Sequence, residues 1–394
     1  RLTVQYGVRW EAQLQPDPIT PPGDVFFAGF IGKPGFPSDG TIPSDKKMFQ
    51  PRLGISWDPQ GDGKQVVRVS SGVFYSRIPG LSLASTRSTN GSRGQTLFRA
   101  SFFNGFGVTP PTWPNLIPQS AISSPDHPDV FVFDKDFRNP RTWSSTVSYE
   151  CQVAPNLATF LSFTHSNTDR ITRFINRNDA VFGAPWSAGL GADGKNGIGT
   201  LTVVESSAKS RYDGLTLGLN KKYSQGYQFQ VNYTLSRDLS DDDNERDPFS
   251  FRYARADNLA PEYNYSDRDQ RHRFNAWLLT TFRGFEFNNR VTGRSAQPKS
   301  IGNTPQDRIQ ANGTIIKRNT LRKDNEFFSW DLRVTRNFKA GGAVVQPIFE
   351  VFNLTNNRNI KRPEVTNLVF NFDGTVQSGF GDPRQAQIGV RVLF

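Results

Sequence analysis

Apolar and polar residues alternate one by one along most of this chain. At the start, Leu2, Val4, Tyr6, Val8 and Trp10 alternate with Thr3, Gln5, Gly7, Arg9 and Glu11. Successive side chains of a strand point to opposite faces, so a period of two prescribes strands with one greasy and one wet side. The pattern recurs in Leu53–Trp57, Val67–Tyr75, Val147–Val153, Leu157–Phe163, Leu215–Leu219 and Tyr227–Leu235. It returns in Phe274–Phe282, Phe285–Val291, Phe328–Phe338, Val345–Val351 and Ala386–Phe394. That makes about twelve segments, most of them near the roughly 9–11 residues that a tilted membrane strand needs.

A soluble sheet also alternates, and the connections separate the two cases. Short links at Ala154-Pro155, Ser224-Gln225-Gly226, Arg283-Gly284 and Lys339–Gly342 take turns with long polar ones. The long ones are expected over 12–49, 78–141, 178–210, 238–269, 297–326 and 355–384. Brief turns on one side and long loops on the other are the rhythm of an outer-membrane barrel. With the chain ending on the periplasmic side, every short link falls there and every long loop faces outward. Trp57, Tyr223, Phe282, Phe338 and Phe394 are then expected at the periplasmic interface, and Trp10, Tyr75, Trp143 and Phe328 at the outer one.

Composition fits such a barrel. Only 36% of residues are hydrophobic and the mean hydropathy is −0.55, which in another fold would indicate a soluble protein. A barrel escapes that inference because only alternate residues meet lipid. The 33 Phe among 394 residues suit two interfacial girdles. A single cysteine, Cys151, excludes an internal disulfide framework and a thiolate metal site. The net charge of +11 is scattered rather than gathered in a run, so nucleic acid is not an expected partner. The first residues, Arg-Leu-Thr-Val, read as mid-strand without a leader, so a preceding portion is expected. Residues 1–394 are taken as one domain.

The last ten residues, Gln385–Phe394, alternate and finish on an aromatic, with Val390, Val392 and Phe394 on one face. This resembles the C-terminal signal that the barrel-assembly machinery reads. Phe349-Glu350-Val351-Phe352-Asn353-Leu354-Thr355-Asn356-Asn357 resembles the penultimate-strand motif of TonB-dependent receptors. Phe36–Gly40 leading to Pro51-Arg52-Leu53-Gly54, and Asp269–Asn275, are similar to the Oar-like branch of that family. The resemblance implies an all-β, transmembrane antiparallel barrel of twenty-two strands, with about twelve present here and the plug and TonB-contact box upstream. It implies outer-membrane lipid and lipopolysaccharide, the assembly machinery and the TonB complex as partners.

No nucleophile–base constellation, phosphate loop or dinucleotide motif is present, so an enzyme is not expected. His127, His165 and His272 stand in no metal-ligand spacing. Asp241, Asp243 and Glu245, in the loop 238–269, carry alternate carboxylates that are candidates for Ca²⁺. They lack the glycine and terminal glutamate of an EF-hand, and a solvated acidic loop is the simpler reading. Arg9, Arg52, Arg68, Arg273, Arg333 and Arg391 fall on the polar face. They are candidates to pair with Glu11, Glu150, Asp331 and Glu350 or to attract an anionic solute. Trp113 and Trp186, with Phe102, Phe103 and Phe106, are candidate loop contacts for a ligand, against the alternative of a packed loop cluster. Energised import of a scarce small or oligomeric solute is the leading expectation. A passive porin and a surface adhesion or secretion-linked barrel are the alternatives.

Overall fold

The computed structural model describes residues 1–88, 129–189, 197–243, 251–359 and 382–394. It contains β1 (Leu2–Gln13), β2 (Asp45–Trp57), β3 (Gln65–Tyr75), α1 (Gly80–Ser88), β4 (Val130–Phe133), β5 (Arg141–Ala154) and β6 (Leu157–Asn176). There follow β7 (Leu201–Ser224), β8 (Tyr227–Ser240), β9 (Asn264–Tyr265), β10 (His272–Phe282), β11 (Phe285–Arg294) and β12 (Pro298–Lys299). The last are β13 (Leu321–Arg322), β14 (Phe327–Arg336), β15 (Phe338–Ala340), β16 (Ala343–Phe352) and β17 (Gln385–Leu393).

The long strands form one antiparallel meander, β1-β2-β3-β5-β6-β7-β8-β10-β11-β14-β16, with β17 beside β16. This is the expected set of twelve. The sheet is open, and among the described residues β1 and β17 each have a single neighbour. Its tight turns follow from residue type. Gln225 and Gly226 have φ of 55° and 81°, and Arg283 and Gly284 have 50° and 78°. Positive φ at both central residues matches the right-handed twist of the flanking strands.

Register makes the two faces continuous. Leu2, Trp57, Val67, Tyr149, Leu161, Leu217, Tyr233, Phe274, Gly293 and Phe328 stand opposite one another across ten strands. Tyr6 is 87% exposed, Val8 72% and Ile388 80%. An apolar face this extensive is stable only against an apolar solvent. The expected interfacial aromatics Trp57, Tyr223, Phe282, Phe338 and Phe394 lie at the turn end; Trp10, Trp143 and Phe328 lie exposed at the loop end.

The buried core sits at the loop end instead of on a sheet face. Val25, Phe26, Phe27, Phe30 and Phe36 pack with Val130, Val132, Ile175, Ile198, Leu201, Val203 and Tyr253. A second cluster joins Ile42, Ile78, Phe133, Phe137, Phe174 and Val204.

Here the long connections depart from expectation. The link 12–49 shortens to 14–44, because β1 continues to Gln13 and β2 starts at Asp45. Within 178–210, β7 already begins at Leu201, and β6 and β7 run 20 and 24 residues. Their loop-end parts pair through bulges around Arg170 and exceed any membrane span. The link 78–141 holds α1 and β4, and β4 lies parallel to Leu201–Val204 of β7. There it covers the edge of β7 that β8, ending at Ser240, leaves free. The loops 238–269 and 297–326 contain β9 and the small hairpin β12–β13.

Candidate functional site

The polar face of the sheet carries the expected arginines. Arg68 and Arg273 share one register row, separated by Ser148, Ser162, Thr216 and Thr234. Between them the wall is neutral: Ser144–Ser166 at 2.8 Å, Thr142–Thr168 at 2.9 Å, Thr146–Thr164 at 3.1 Å and Thr216–Thr234 at 2.9 Å pair their hydroxyls. The charged groups flank it. Arg68 pairs with Glu150 and Arg9 with Glu11, while Arg333 lies 3.6 Å from Glu350. Gln50 donates to Glu11 at 2.6 Å, and Arg52 donates to Gln50 at 3.2 Å while stacking 4.5 Å over Phe74. Asp331 accepts from the Ser329 hydroxyl and the Asn353 amide rather than from an arginine. Arg68 and Glu150 are about half exposed, so such a pair contributes at most about 1 kcal/mol. Arg273 faces Thr234 and Arg294 in register, without a carboxylate opposite.

The candidates in the loops fall differently. Trp186 is partly buried, edge-on to Phe30 at 5.6 Å and to Phe36 at 5.2 Å, as part of the packed cluster. Its carbonyl accepts from Ile198 at 2.7 Å; a Cβ on Gly197 would lie 2.2 Å from the Ser187 carbonyl carbon, so that turn requires glycine. Trp113, Glu245, Phe102, Phe103, Phe106 and His127 lie outside the described residues. His165 contacts Asp213 at 2.6 Å, and His272 contacts the Tyr233 hydroxyl at 2.7 Å.

Asp241 and Asp243 are held by guanidinium groups. Arg173 reaches Asp241 at 3.0 Å and Asp242 at 3.3 Å. Arg318 donates to Asp243 at 2.6 Å, and Asp243 also accepts from Ser266 and the Asp267 amide. Arg322 pairs with buried Asp269 at 2.7 Å, and Arg308 with Glu262 at 2.6 Å, both members of that last pair being 1% exposed. Sequence reading missed this network. Its partners are far apart in the chain and belong to no periodic segment; only the excess of Arg and Asp in these loops hinted at it.

The network has a pH dependence. Asp238 lies in β8 beyond the apolar row Tyr227–Leu235, and its amide donates to Asp269 at 2.9 Å. Burial, followed by the charges of Asp243 and Asp269, raises its carboxyl to about 6. Burial also pushes Asp243 upward, but Arg318 and the hydrogen bonds outweigh it and hold Asp243 below the ordinary value. Between the ordinary value of 3.8 and about 6, folded Asp238 keeps a proton that the unfolded chain has lost. Stability therefore falls as pH rises through that window, and the penalty is complete above it. Asp243 acts in the opposite sense only at still lower pH. Moving from pH 7 to pH 5 should strengthen the loop end by about 1–2 kcal/mol. Amide protection of 238–243 and 264–269, corrected for intrinsic exchange, reads this out, and Asp238→Asn should abolish the gain.

A family model described as "Outer membrane beta barrel domain" matches residues 1–299. No curated protein matches the sequence. The outer-membrane transporter YddB from Escherichia coli superposes with a TM-score of 0.54 at 9% identity, covering 88% of this chain and 40% of its own. The FrpB iron transporter from Neisseria meningitidis gives 0.48 at 14% identity, covering 89% and 40%. The ferripyoverdine receptor of Pseudomonas aeruginosa gives 0.47 at 11%, covering 89% and 34%. The chain thus spans about two fifths of the length of the first of these.

Proposed function

From the premise that the chain belongs to the outer membrane β-barrel domain family, we propose that it forms one wall of a gated, TonB-dependent import barrel. The observation that carries this reading is the twelve-strand open meander, in a chain 88% of which superposes on 40% of the chain of an outer-membrane transporter. In lipid the free edges of β1 and β17 must be closed, because backbone groups there have no water to bond. Further strands, and a plug filling the lumen, complete the barrel in this reading. The polar wall suits a plug: Arg9, Arg68 and Arg333 already have carboxylate partners and its centre offers hydroxyls, which hold a polar surface without trapping it. The assembly machinery would engage β17 through Val390, Val392 and Phe394 on the lipid-facing side. Solute capture falls to the loop end, with Arg52, Arg68, Arg273 and Arg333 lining the path below.

The test uses the full-length protein in cells. The probe is a panel of radioactive iron complexes. Accumulation above background should occur only while TonB is present. Equal uptake without TonB would overturn the reading in favour of a passive pore. Absence of uptake together with loop-dependent cell adhesion would overturn it in favour of an adhesive barrel.

A further inference from the structure

At the loop end of β2 lies a cavity of about 360 Å³, lined by Pro43, Ser44, Lys46, Lys47, Lys135, Asp136, Phe137 and Arg138. Four of these side chains are cationic and one is a carboxylate. Lys46, Lys47 and Lys135 are exposed, and their ammonium groups have no ion-pair partner among the described residues. The frame around them is fixed. Buried Asp45 accepts from the Lys47 amide at 2.9 Å and the Asn139 amide at 3.2 Å, and it holds Arg138 at 3.4 Å. Phe137, in the lining, is 2% exposed and edge-on to Phe133 at 5.1 Å. Rigid walls with unneutralised ammonium groups concentrate field into the cavity and favour an anion of high charge density.

Its height identifies the source of that anion. Trp10 and Phe49 face each other in register on the lipid side at the loop end, 58% and 57% exposed. Trp10 donates its indole N–H to the carbonyl of Lys46 at 2.9 Å. By strand alternation Lys47 continues the face of Phe49. Interfacial aromatics sit at headgroup level, so the cavity opens where the phosphates of outer-leaflet lipids lie. We infer that this cavity binds the phosphate group of an outer-leaflet lipid headgroup, anchoring the barrel at that point of its rim. The inference needs outer-membrane residence and is independent of whether the barrel transports.

The test places the full-length protein in phosphatidylcholine nanodiscs doped with bis-phosphorylated lipid A, and measures the lipid A retained on purification by native mass spectrometry. The triple variant Lys46→Gln, Lys47→Gln, Lys135→Gln should lower affinity about 100-fold, at roughly fivefold per lysine at an anionic surface. Lys339→Gln, at the turn end, should leave retention unchanged, and heat-modifiable migration confirms that each variant folds. Lipid A stripped of its phosphates should not be retained. Equal retention by the triple variant, or of the stripped lipid, overturns the proposal. Binding of inorganic phosphate as tight as that of lipid A, lost in the triple variant, overturns the lipid as source.

Discussion

Glu262→Ala should unfold the loop end while leaving the barrel wall intact. Glu262 and Arg308 are each 1% exposed, and the carboxylate also accepts from the Ala254 amide at 2.9 Å. Arg308 reaches on to the Ile316 carbonyl at 3.2 Å, so this one pair ties the segment 251–263 to 308–318. Removing the carboxylate strands a guanidinium away from water, and breaking a buried pair from one side costs about 3–5 kcal/mol. Limited proteolysis should then cut within 251–270 and 303–318, with unchanged heat-modifiable migration of the whole. The double variant Glu262→Leu, Arg308→Met should recover most of the loss, because a buried pair exchanged for apolar packing of similar volume is close to neutral. Protease resistance in the single variant equal to that of the native chain would show that the pair does not hold these loops.

That contrast also marks the boundary of what the sequence discloses. The wall was legible because each strand is its own evidence: Leu215, Leu217 and Leu219 declare a face whatever they pair with, and the hairpin partner comes next in the chain. Arg68–Glu150 could be anticipated for the same reason, since both residues occupy the polar face of neighbouring strands. The loop end obeys no such rule. Leu201–Val204 has no exposed side, Thr202 included, because β6 and β4 flank it and both of its faces are buried. Val130–Phe133 reads equally as strand or buried loop until its parallel partner is known. The cavity lysines were invisible for a further reason: Lys46-Lys47 is an ordinary dipeptide until the chain returns with Lys135, far along the sequence.

The strongest test of the wall itself compares adjacent residues. Leu217 stands mid-way along the apolar stretch of β7, opposite Leu161 and Tyr233, and is 49% exposed. Thr216, its neighbour, turns to the polar face and shares its hydroxyl with Thr234. An arginine on the lipid side near the bilayer midplane costs about 2–4 kcal/mol, whereas a lumen position offers water and polar partners. Leu217→Arg should therefore sharply reduce the heat-modifiable, outer-membrane-extracted form, and Thr216→Arg should accumulate nearly as the native chain does. In a compact soluble sheet the order would differ, because an exposed Leu217 would accept arginine at little cost and the semi-buried Thr216 would not. The sign of the difference between two consecutive positions thus identifies the solvent on each side. Neither the absolute yield nor the protein's overall stability enters that comparison, since both variants add the same side chain to the same strand.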